Sequence, residues 1–159
     1  MKTITFLALA SLLFIAPSSQ ESPELKEATT LTESVVTLFN ERKFDEALPL
    51  AKPALEIRER LLTPGDQQIS NSLSYLADIY IAKRNYGDAR KFLLRVIENQ
   101  EKRFGPGDVG LAATLHRVAQ LHRRQGDGRK AEEPYKRAIV LREKAFGDDN
   151  FEVPRSLAG

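Results

Sequence analysis

The chain says the same thing three times. ALEIRERLLTPGD (54–66), VIENQEKRFGPGD (96–108) and AIVLREKAFGDDN (138–150) begin forty-two residues apart and share a glutamate in one place, as Glu59, Glu101 and Glu143. A period of this length constrains the fold more than any other sequence feature. Each unit can hold only one small assembly of secondary structure, and it must bury its apolar face against the next copy.

Aligning the segments that start at Ala28, Ser70 and Ala112 shows what each unit contains. Leu31, Leu73 and Leu115 share a column, as do Ser34, Leu76 and Val118, then Val35, Ala77 and Ala119, then Leu38, Tyr80 and His122. Spacings of three and four place these on one face of an amphipathic helix. Polar breaks at ERK (41–43), KRN (83–85) and QGD (125–127) fit helix-to-helix turns. A second helix follows, with Ala47, Ala89 and Ala131 one period apart, then Ala51, Leu93 and Tyr135, then Ala54, Val96 and Ala138, with Leu55, Ile97 and Ile139 beside them. Small residues recurring on a helix face let two helices approach to about 8–10 Å. Glycine, proline and aspartate then cluster at TPGD (63–66), GPGD (105–108) and GDDN (147–150), where each unit should end in a loop.

ALPLAKPALEIRERLLTPGD and AEEPYKRAIVLREKAFGDD, with Pro49 and Pro134 near the start of the second helix, resemble the tetratricopeptide repeat. The resemblance is to its 42-residue variant, found in kinesin light chains and many bacterial arrays. It implies an all-α fold, a right-handed solenoid of helix–turn–helix repeats. It divides the chain into three repeats at 28–69, 70–111 and 112–150, with a short linker at 19–27 and the start of a truncated fourth copy at 151–159. The first copy departs most, with Val35 where a small residue is usual and Ser34 where an apolar one is. In the fourth, Val153 and Leu157 align with Leu111 and Leu115.

The N-terminus carries a different signal. Lys2 is the only charge before Glu21, ITFLALASLLFIA (4–16) is apolar, and Ala16-Pro17-Ser18 supplies small residues. That order is the pattern of a secretory signal over residues 1–18, and the apolar run is short for a membrane span. An exported protein, periplasmic or secreted, is therefore expected, with no transmembrane span once the signal is cleaved. An uncleaved anchor and a buried helix are the alternatives.

Composition bounds the chemistry. With 42% apolar and 29% charged residues, the chain suits a folded domain. The absence of cysteine excludes disulfides, thiolate metal sites, cysteine nucleophiles and a lipoprotein anchor. A net charge of +2 gives no reason to expect nucleic acid. The only histidines, His116 and His122, are six apart, whereas metal-binding pairs on one helix prefer a spacing of four. No Ser–His–acid order, zinc signature, Walker loop or dinucleotide fingerprint occurs, and Glu132 and Glu133 point apart on a helix. Neither catalysis, nor a metal, nor a cofactor is expected.

What the family resemblance implies is a groove lined by the first helix of each unit. In this sequence the facing positions are Thr29, Thr32, Glu33, Val36 and Phe39, then Asn71, Ser74, Tyr75, Asp78 and Ile81, then Ala113, His116, Arg117, Gln120, Arg123 and Arg124. A protein or peptide partner would take apolar contact from Phe39, Tyr75 and Ile81. Arg117, Arg123 and Arg124 offer fork-shaped donors to an acidic segment or a C-terminal carboxylate. Kinesin-light-chain grooves hold peptide backbone with asparagines, but here the matching places are Ser74, Tyr75, His116 and Arg117. The alternative reading is a structural module that self-associates through residues 129–157. There Tyr135, Ala138, Ile139 and Phe146 meet only the short Val153–Pro154–Leu157 tail.

Overall fold

The computed structural model describes residues 22–147, so the expected signal at 1–18 and the fourth copy at 151–159 lie outside the described residues. Six helices follow one another: α1 (Pro23–Asn40), α2 (Phe44–Leu61), α3 (Gln67–Ala82), α4 (Tyr86–Phe104), α5 (Leu111–Arg124) and α6 (Gly128–Phe146). No strand occurs among the described residues. The second helices begin forty-two residues apart, whereas the first helices start earlier than the repeat boundaries suggested. Residues 23–27, expected as linker, belong to α1. Pro23 is already shaped for a first turn, and Ser22 accepts a hydrogen bond from the Leu25 amide at 3.2 Å, so the helix is nucleated there.

Local chemistry sets the helix ends. The aspartates closing the two PGD loops do the same work one period apart. Asp66 accepts from the Gln68 amide at 2.7 Å, and Asp108 accepts from the Gly110 amide at 2.8 Å. Each short turn inside a unit closes with the same pair of bonds. The Arg42, Arg84 and Gly126 amides donate to the carbonyls of Phe39, Ile81 and Arg123, and the next amides (Lys43, Asn85, Asp127) donate to Leu38, Tyr80 and His122 at 2.8–2.9 Å. This double closure is a Schellman cap, which reverses the chain and returns the second helix along the first.

Packing follows the alanine columns. Within the units α1 lies on α2, α3 on α4 and α5 on α6; between them α2 meets α3 and α4 meets α5. Ala47 and Ala89 are 0% exposed and Ala131 2%, as expected for points where paired helices touch. The core forms two clusters, one at each joint between units. Val35, Ala51, Leu55, Leu73, Leu76 and Ile79 fill the first, and Leu93, Ile97, Leu115, Val118, Leu121 and Leu141 are prominent in the second. Ile79 and Leu121, absent from the amphipathic stripe read in the sequence, are buried because α3 and α5 pack on two neighbours. Each covers the preceding unit as well as its own partner helix.

Polar side chains also stitch the units. Arg58, buried on α2, donates to Thr32 Oγ1 at 2.7 Å and Ser72 Oγ at 2.6 Å. One period on, Thr114 donates to Gln100 at 3.4 Å. The conspicuous repeated glutamates have a matching explanation. Glu59 pairs with Arg95 and Glu101 with Arg137, each arginine coming from the second helix of the next unit. Asn99, buried on α4, accepts from the Gly65 amide and donates to the Asp66 carbonyl, both at 2.8 Å, and to Ser70 Oγ at 2.9 Å. It thereby fixes the loop between the first two units.

Candidate partner-binding face

The first helices place the expected groove residues side by side, but the fold uses several of them. Phe39 is half-buried and packs edge-on against Phe44, with ring centroids 5.3 Å apart. Tyr75 packs on the first core cluster and, with Thr32, Val35 and Ser72, lines a small cavity between α1, α2 and α3. Ile81 packs against the second cluster. The three apolar side chains are thus half-buried, with only part of each available to a partner. Asn71 is exposed and accepts from Gln67 at 3.0 Å, while Ser74 is half-buried.

The basic strip on α5 divides in the same way. Arg117 donates to Asp78, forming an ion pair across from α5 to α3. Burial pushes the Asp78 carboxyl above its ordinary value even though the guanidinium pulls it down. Asp78 therefore occupies the anion position that Arg117 was expected to offer. Arg124 is exposed and lies over the Tyr86 ring, 5.8 Å from its centroid, a cation–π placement. Arg123 is exposed and makes no ion pair among the described residues. Gln120 is exposed and lies 3.0 Å from His116 Nε2.

His116 also meets Tyr135 of α6 edge-on, with centroids 5.2 Å apart, and burial followed by the Arg142 charge holds its pKa below the ordinary imidazole value. Tyr135, which the sequence reading set in the apolar face of the second helix, is thus an edge residue of this face. The signal was the Ala51, Leu93, Tyr135 column, in which side-chain size grows towards the last unit. His122 behaves as its column suggested: it is half-buried beside α4 and α6 groups, and its Nδ1 is buried with no hydrogen-bond partner. Among the described residues no group of three or more histidine, aspartate or glutamate side chains is placed to hold a metal, and no helix is long and apolar enough to cross a membrane.

Stacked two-helix units, closed by repeated turns and joined through alternating core clusters, define a helical repeat scaffold. The tetratricopeptide repeat model matches residues 26–102 and again 68–144, and the chain belongs to that family. Solved structures agree on the fold. The TPR domain of Arabidopsis FLU is 20% identical with a TM-score of 0.66, over 77% of this chain and 99% of that one. BtubC (BKLC) from P. vanneervenii is 21% identical with a TM-score of 0.68, over 81% of this chain and 51% of that one. A Podosopora anserina putative kinesin light chain with nearly identical TPR-like repeats is 19% identical with a TM-score of 0.65, over 87% and 64%. A search of curated proteins found no match. Members of this repeat family generally mediate protein–protein interaction rather than catalysis.

Proposed function

We propose that this protein is an exported interaction scaffold that holds an acidic segment, or the C-terminal carboxylate, of a protein partner along its first-helix face. One observation supports the reading above others: α5, the first helix of the third unit, ends in two exposed arginines, Arg123 and Arg124, the second set over Tyr86, beside the exposed amide of Gln120. Forked cationic donors near a half-buried aromatic surface suit carboxylates better than any neutral ligand. Export rests on the charge, apolar and small-residue order of residues 1–18, so the protein recovered from its host should begin near Ser19.

The test is titration with a peptide ending in several glutamates. Replacing Arg123 and Arg124 by Glu should weaken binding by about 1 kcal/mol or more for each carboxylate contact, without change in helical content. Affinity should also fall as salt rises. Binding that survives both the double reversal and added salt would refute carboxylate capture.

A further inference from the structure

The short turn inside each unit repeats one backbone shape with different side chains. Arg42, Arg84 and Gly126 share the left-handed conformation, at φ 61°, 58° and 79°. Glycine enters it freely, whereas a Cβ crowds the following carbonyl, so each arginine is held there at a cost to the fold. Backbone bonding does not account for the choice, because the amide at each place donates to the carbonyl three residues back whichever residue carries it. The turn that does have the glycine carries arginines on either side of it, Arg123 and Arg124 before and Arg129 after. All five arginine side chains are exposed.

The lysines along this edge are already neutralised. Lys43 pairs with Glu41 and also feels Glu46, while Lys83 reaches Asp45 at the start of α2. Lys91 pairs with Asp88, and Lys130 with Asp127. None of the five arginines forms an ion pair among the described residues, and Arg124 rests on Tyr86. The local acids thus take up the ammonium groups and leave the guanidinium forks, the donors shaped to grip a carboxylate with two parallel bonds.

We infer that the short-turn edge extends the carboxylate site across all three units, and that the captured segment is an internal acidic run of the partner. The inference rests on the proposed capture at Arg123 and Arg124 and decides between the two kinds of segment that capture allows. Four helix-to-helix steps lead from α1 to α5. At about 8–10 Å each they span at most about 40 Å, which an extended chain covers in about twelve residues. Acids spread over such a run meet Arg124, Arg84 and Arg42 in turn, whereas a terminal carboxylate reaches one turn. The small net charge of +2 supplies little long-range field, which weighs against a nucleic-acid strand as the occupant.

The probes are two labelled peptides titrated into the full chain, a short one ending in a few glutamates and one of about twelve residues with glutamates throughout. The longer peptide should bind more tightly and lose affinity more steeply with salt. Arg42→Gly with Arg84→Gly should weaken the longer peptide about fivefold or more. The same pair should leave the short peptide's affinity as it was and should not lower the thermal midpoint, because glycine suits both turns. Lys26→Gln with Lys52→Gln, which removes equal charge from exposed positions away from the turns, should change neither affinity. A longer peptide indifferent to the glycine pair, or weakened equally by the lysine pair, would overturn the inference and leave capture at Arg123 and Arg124 standing. Binding of neither peptide would overturn both. A single-stranded oligonucleotide that binds more tightly than the longer peptide would give the edge to phosphates and overturn the inference. So would a response to the glycine pair seen only after residues 148–159 are removed, which would give the edge to the chain's own acids.

Discussion

Arg42 (φ 61°), Arg84 (φ 58°) and Gly126 (φ 79°) occupy one column and the same left-handed backbone conformation. Only glycine adopts it without cost; for other residues the penalty is about 1–2 kcal/mol. Arg84→Gly should therefore raise stability by about 0.5–1 kcal/mol after the added freedom of the unfolded chain is subtracted. Gly126→Ala should lower it by about 1 kcal/mol, although a Cβ there would meet nothing within 4 Å. Denaturant midpoints would check both signs. Histidines supply a pH test. Burial, assisted by Arg142 for His116 and by Arg90 for His122, holds both imidazoles below their ordinary pKa in the folded chain. The unfolded chain then binds more protons between the folded and ordinary values, so stability rises with pH there. The histidine contribution is present above the ordinary pKa of about 6.5 and is lost as pH falls through the folded values. The thermal midpoint should drop as pH falls below the ordinary imidazole value of about 6.5, and His122→Leu, which installs the residue found at Leu38, should flatten that drop. An unchanged slope would mean that His122 does not titrate across folding.

At the scale of helices, the decisive contact is the alanine column. Ala89→Leu should overpack α3 against α4 and cost about 1–3 kcal/mol, while Lys91→Leu, replacing a side chain 77% exposed, should be nearly neutral. Equal effects on the thermal midpoint would count against the register. This column was legible in the sequence because one small residue recurs at one spacing. Ile79 and Leu121 were not, since an amphipathic stripe describes a helix with one buried face and these helices have two. The site was less legible than the fold for a related reason. Which residues lie on the first helices follows from spacing, but what they touch does not. The Asp78 partner of Arg117 lies 39 residues away, and the Tyr86 beneath Arg124 lies across a unit joint. Nothing in either local sequence marks those pairings. The α1 boundary was misplaced because the repeat frame begins at Ala28, while Ser22 and Pro23 start the helix by local capping, independently of the period.

For the whole molecule, contacts run between neighbouring helices, with α1 also touching α3, so each unit is stabilised by itself and its immediate neighbours. Alternating core clusters, paired polar bridges and the Glu59–Arg95 and Glu101–Arg137 rungs all repeat with the sequence. The first helices are thereby held in a row, with chemistry that packing does not fully consume, and that row is the surface proposed to meet a partner. Amide exchange with and without the glutamate-ended peptide tests this most directly. Added protection should fall on α5 and the facing stretch of α3, with α2 and the outer turns of α4 unchanged, and should vanish when Arg123 and Arg124 are both replaced by Glu. Protection confined to α2, α4 and α6, and unaltered by that double replacement, would contradict it.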